Sequence, residues 1–165
     1  MAFRPSATLV DVITGRAETA PAAPLVGFIG SAQHSGEEIY DLCARVGDGL
    51  RSLGCNRGDR VMIMCPNRVE FLGAFFGASF AGLVPVPVNT ALHGDVLTYL
   101  VNDSKPTVVI VHEAFVSRLE AATAAGGWEP HVVVIGEQDE SATSVGFRDL
   151  VDASMPKGPD SVKYH

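Results

Sequence analysis

The feature that most limits the fold is a set of short apolar runs placed between segments of helical period. "VMIMC" (61–65) is wholly apolar, which marks a strand covered on both faces rather than one wetted on one side. "PLVGFI" (24–29), "LVPVPV" (83–88), "TVVIVH" (107–112) and "HVVVIG" (131–136) read as further strands. Residues 35–54 space Ile39, Leu42, Cys43, Val46, Leu50 and Leu53 at helical intervals. Ser35 is placed to cap that helix, Glu37 and Glu38 fall in its first turn, and Gly54 stops it. Residues 7–18 put Leu9, Val12 and Ile13 on one helical face, and 94–103 turn Val96, Leu97, Leu100 and Val101 inward before Pro106 forces an exit. Two more helices are expected at 113–126 and 147–154, with a polar loop between 137 and 146. Strands and helices alternate, so the expected fold class is α/β, a mostly parallel sheet flanked by helices on both faces.

The stretch from Phe71 to Val88 carries no charge and raises the question of a membrane span. Gly82, Pro85 and Pro87 divide it into a helix of about four turns and a short strand, neither of which crosses a hydrocarbon layer of ~30 Å. Pro66 ends the strand before it and Asn67 stands as the helix cap. Phe71, Leu72, Phe75, Phe76, Ser79 and Phe80 form a wide apolar face, while glycines and alanines fill much of the rest and let the helix pack closely on more than one side. Burying each phenylalanine is worth roughly 1.5–3 kcal/mol, so the stretch is read as core. The two prolines cannot donate to a ladder, which puts 83–88 at a sheet edge or in irregular pairing.

Composition narrows the function class. The 165 residues are 47% hydrophobic with a net charge of −7, a balance that suits a folded domain and disfavours a nucleic-acid surface. Cys43, Cys55 and Cys65 are odd in number and lack CxxC spacing, so they read as reduced, buried thiols of a cytoplasmic protein. The N-terminus lacks the continuous apolar core of a secretory signal.

No dinucleotide fingerprint, P-loop, nucleophile elbow or zinc motif is present. "GFIGSAQHSG" (27–36) fits neither phosphate-loop spacing and reads as a loop leading into the capped helix. His34, His93, His112, His131 and His165 are scattered. Glu37 and Glu38 read as helix-start acids, Asp139 and Glu140 as solvated loop acids, and Arg57 and Arg60 as exposed turn residues. No catalytic residue or metal ligand is assigned. Ligands of such a sheet sit beyond the carboxyl ends of its strands, which points to Pro66–Asn67, Asn89–Leu92 and His112–Glu113. Arg118 is singled out only by its place near the start of a helix that follows a strand.

The order of core residues is more specific than the composition. Gly54, Gly58-Asp59-Arg60-Val61, Pro66-Asn67, Phe71 with the small-residue helix to Ala81-Gly82, "VPVPVN" (84–89), and Leu100 to Ser104 occur in sequence. Together they resemble the N-terminal region of the adenylate-forming (AMP-binding) superfamily, closest to its acyl- and aryl-CoA ligase branches. The likeness runs from about residue 8 to the end. In place of the Thr-Tyr pair common at the second helix, this chain has Ile39-Tyr40. The resemblance implies that 1–155 form an N-terminal α/β subdomain of a ligase and that 156–165 link to a Ser/Thr/Gly-rich phosphate loop absent from these residues. For an intact parent it implies ATP, Mg²⁺ and CoA as cofactors, a carboxylic acid as substrate, adenylation, then thioester formation. The piece alone is expected to be inactive and to self-associate through an exposed sheet edge. In some CoA ligases basic residues near the position of Arg118 touch the CoA nucleotide, so Arg118 is the one candidate binding residue. The alternative is a stand-alone α/β binding or interaction module that keeps the scaffold without the reaction.

Overall fold

A computed structural model describes residues 8–137 and 144–153. Its centre is a five-stranded parallel sheet in the order β4-β3-β5-β6-β7, with β3 Arg60–Met64, β4 Val84–Pro87, β5 Val108–His112, β6 His131–Ile135 and β7 Val145–Gly146. The apolar runs alternate sides as the pleat requires. Val61, Ile63, Val108, Ile110, Val133 and Ile135 meet one helix layer, α2 Gly36–Ser52, α3 Val69–Phe80 and α6 Phe147–Asp152. Met62, Met64, Val109, Val111 and Val134 meet the other, α4 Gly94–Ser104 and α5 Val116–Gly126. A further helix, α1 Leu9–Thr19, buries Ile13 and Ala17 against α2 on the outside of the first layer. The expected α/β sheet with helices on both faces is the observed fold.

The first strand departs from expectation. β1 Pro24–Gly27 pairs antiparallel with β2 Gln33–Ser35 in a separate two-stranded sheet. The segment is short and half wetted, and its nearest pairing partner is the run that leads into α2, so it closes as a hairpin rather than crossing to the main sheet. Ser35 then caps α2 as read from sequence: its hydroxyl accepts the Glu38 N–H at 3.2 Å, and the Glu38 carboxylate accepts the Ser35 N–H at 2.8 Å.

Helix α3 is buried chiefly on its small side, with Phe80 the one phenylalanine of its aromatic face that is fully covered. Gly73, Ala74, Gly77 and Ala78 are fully covered, while Phe71, Phe75 and Phe76 are half-buried at the flanks. The reason is the approach of α2. A β-carbon on Gly77 would lie 2.7 Å from Val46 Cβ and 2.8 Å from the Cys43 carbonyl oxygen, and one on Gly47 would lie 2.9 Å from the Gly77 carbonyl oxygen. The two backbones meet where no side chain separates them, and phenylalanines fill the space beside that contact. Tyr40 and Phe80 close its outer end with ring centroids 5.5 Å apart.

Other positions move outward for similar reasons. Leu9, Val12 and Val96 are exposed, leaving Ile13 and Ala17 in α1 and Leu97 and Val101 in α4 as the buried residues. Arg68, not Asn67, is the N-cap of α3, and no side chain bonds there. Arg60 is half-buried rather than free: its Nε donates to the Ser104 carbonyl at 2.8 Å and Nη2 to the Lys105 carbonyl at 2.9 Å. It thereby satisfies the C-terminal end of α4, whose cap residue Lys105 takes a left-handed φ of 43°. The helix expected over 113–126 begins as a 3₁₀ turn, Glu113–Phe115. Part of the expected 137–146 loop is strand β7, whereas Asp139, Glu140, His165 and the 156–165 linker lie outside the described residues. The two prolines of β4 do lie at the sheet's end.

Two outcomes follow from this packing. Gly77→Ala should destabilise the chain by about 1–3 kcal/mol despite the better helix propensity of alanine, because rigid backbone and a β-branched residue face the new methyl group. Gly73→Ala should cost less, because only the flexible end of Leu42 faces it. Urea midpoints test the order; an equal or greater loss at Gly73 would contradict it. The thiols give the second. Burial pushes Cys43 and Cys65 up to about 12 and Cys55 to about 11, from an ordinary value of 9.0. All three should resist thiol reagents at pH 8 until the chain unfolds. The unfolded thiols ionise first as pH rises, so stability should fall above about pH 9; rapid native-state labelling of any of the three would refute the burial argument.

Candidate functional site

The parallel sheet brings the three sequence-predicted loops to one edge. They follow β3, β4 and β5, which are adjacent strands. From β3 the chain passes through α3 to β4 on one side, and from β5 it passes through α5 to β6 on the other. Helices α3 and α5 cover opposite faces. The β3 and β5 loops therefore part from each other, and the crevice between them is the topological switch point of the sheet, where such folds place ligands.

The β3 loop supplies Cys65, Pro66, Asn67 and Arg68. Arg68 grips Glu70 with both arms, Nε to Oε2 at 2.7 Å and Nη2 to Oε1 at 2.8 Å. Burial, the largest single influence, would raise the Glu70 carboxyl, but the Arg68 hydrogen bonds, a backbone hydrogen bond and the charges of Arg68 and His112 together hold it below the ordinary carboxylate range. The same pairing raises Arg68. From β5, the His112 Nδ1 accepts the Ala114 N–H at 3.3 Å, and the Glu113 carboxylate accepts the Glu137 N–H. Glu113 thus ties the end of β5 to the end of β6, at Gly136, whose φ of 115° suits glycine.

The β4 loop is ordered by its own turn and by Arg118. Asn89 Oδ1 accepts the Ala91 N–H at 2.9 Å, and His93 Nδ1 lies 3.0 Å from the Ala91 carbonyl oxygen. Arg118, exposed on the first turn of α5, donates from Nη1 to the Thr90 carbonyl at 2.9 Å and stacks over Phe115 at 5.2 Å. Sequence reading located Arg118 and the loops but missed the Arg68–Glu70 fork and the Thr90 contact. The "RVE" spacing was the only available signal for the fork.

The helix starts at this edge differ from those elsewhere in the fold. α1 and α2, which do not follow strands of the main sheet, both start with capping boxes. α3 and α4, which start at the carboxyl edge, have no side-chain cap bond and carry Glu70 and Asp95 in their first turns, while α5 continues a 3₁₀ turn that His112 caps and whose Glu113 carbonyl accepts the Val116 N–H. Cys65 is buried there, and burial disfavours the thiolate that a nucleophile needs. Among the described residues no three His, Cys, Asp or Glu side chains converge as a metal site would need. His34 lies in the hairpin and His131 starts β6, apart from this edge. "GFIGSAQHSG" forms the hairpin itself rather than a phosphate cradle. No described helix is long and apolar enough to cross a membrane.

Comparison with known proteins agrees with this architecture. The 4-hydroxybenzoate–CoA/benzoate–CoA ligase of Rhodopseudomonas palustris is 34% identical over 122 residues, covering 73% of this chain and 22% of that protein. The long-chain-fatty-acid–CoA ligase FadD13 of Mycobacterium tuberculosis is 44% identical over 73 residues, covering 44% of this chain and 14% of that protein. The chain therefore spans about a fifth or less of the length of these relatives. Among solved structures, the anthranilate CoA ligase AuaEII with anthranoyl-AMP superposes with a TM-score of 0.82 at 24% identity, over 89% of this chain and 28% of that one, a likeness of fold. Residues 14–162 match the AMP-binding enzyme pattern, and the chain belongs to that family.

Proposed function

We propose that this chain is the N-terminal α/β part of an ATP-dependent acyl- or aryl-CoA ligase. In the intact enzyme a carboxylate oxygen attacks the α-phosphorus of ATP and pyrophosphate leaves; the CoA thiol then attacks the acyl carbon and AMP leaves. Mg²⁺ would offset phosphate charge in the first step. The observation that carries the reading is the match to the AMP-binding family across 14–162, with relatives that are CoA ligases of aromatic and long-chain acids. The loops after β3, β4 and β5 stand at one edge of the sheet with Arg118 beside them, so the segment supplies scaffold and one wall of the site. Alone it is inactive, and it self-associates through an open end of its sheet.

Carboxylate-dependent exchange of labelled pyrophosphate into ATP tests this. The 165-residue chain should give none. The protein that includes whatever the gene encodes after His165 should give it with aliphatic or aromatic acids. Exchange by the short chain alone would overturn its inactivity; a frame that stops after His165 would move the reading to a binding or interaction module.

We also propose that Arg118 contacts the CoA nucleotide. Phe115 and the Thr90 carbonyl orient its guanidinium, and a single bond to Thr90 uses one of five N–H donors. In the active ligase Arg118→Ala should raise KM for CoA about 3–10-fold, with a smaller change in KM for ATP. An unmoved KM for CoA would reduce Arg118 to an anchor of the Thr90 loop.

A further inference from the structure

A strand at the end of a sheet normally offers a row of free donors and acceptors to any passing strand. Among the described residues β4 is such an end. Its side chains and its backbone alternate, so the direction of its hydrogen bonds fixes what the free side presents. The Val84 N–H donates to the Asp59 carbonyl at 2.8 Å and the Val88 N–H to the Ile63 carbonyl at 2.8 Å, both toward β3. With period two, Val86 also faces β3, and Pro85 and Pro87 face outward. Both outward positions are therefore occupied by the one residue type without an N–H. The outer edge of β4 carries carbonyl acceptors and no strand donors, although Val84 and Pro87 are exposed and the edge is sterically open.

We propose that Pro85 and Pro87 form a lock against strand addition at β4. The phase of the two prolines is what makes the lock harmless to the fold. Shifted by one residue, they would remove the donors that hold β4 to β3; in the observed register they remove only those a partner would need. A partner strand laid along β4 would find the carbonyls of Pro85 and Pro87 but no donor, losing half of its ladder, and a second copy pairing β4 against β4 would find no donor on either side. Self-association of the isolated piece is thereby directed away from β4, toward the other end of the sheet.

The double variant Pro85→Thr, Pro87→Thr tests the lock in the 165-residue chain. Threonine suits a strand and restores both outward N–H groups. The expected result is a folded variant whose mean mass by light scattering rises with concentration more steeply than that of the wild type. Its new amides at 85 and 87 should exchange at least ~10-fold more slowly in the concentrated sample than in the dilute one. A folded variant with wild-type mass at every concentration and rapidly exchanging amides at both positions would overturn the proposal. If the double variant does not fold, Pro87→Thr alone, at the exposed end of β4, restores one donor and is judged by the same two readouts.

Discussion

Everything in this fold follows from the need to cover one strand on both sides. β3 has no polar residue between Val61 and Met64, and those four are wholly buried. A strand of that kind must sit inside the sheet with a helix layer on each face. Parallel neighbours on either side require crossovers, and crossovers of one hand put α3 and α5 on opposite faces when the chain moves in opposite directions from the centre. The switch point between β3 and β5 is the geometric consequence. The candidate site exists because the core strand could be covered in no other way.

Close contact of α2 with α3 is the second constraint, and it inverts the simplest reading of the sequence. Five aromatic or leucine side chains on α3 look like the face that drives folding. The glycines and alanines between them are what the helix buries first, since they let two backbones touch and gain dispersion contacts along the whole crossing. The phenylalanines then seal the flanks against the sheet on one side and α1 on the other. The same residues that argue for core by hydrophobicity act here as edges of a contact made by small ones.

The carboxyl edge gathers three ordered loops from adjacent strands. The Arg68–Glu70 fork, the Asn89 turn and the Arg118–Thr90 anchor order the loops on this side of the sheet. The opposite ends of the strands are closed differently: Arg60 occupies the carbonyls at the end of α4, and the Trp128 Nε1 donates to the Pro106 carbonyl at 2.8 Å.

By itself the sequence determined the main helices and the strands β3 to β6 of the central sheet. Apolar runs, helical spacing, the Ser35–Glu38 cap and the prolines of β4 are local signals, each decided within a few residues by sterics and hydrogen bonding. The family likeness and the three loops at the carboxyl edge were legible for the same reason, since both depend on element order. Only the tertiary structure decided which side of α3 is buried, that β1 folds back on β2, and that Arg60 and Arg118 reach carbonyls 44 and 28 residues away. Those outcomes depend on which surfaces meet. Periodicity reports that a face is apolar, but it carries no information about how closely the partner backbone can approach.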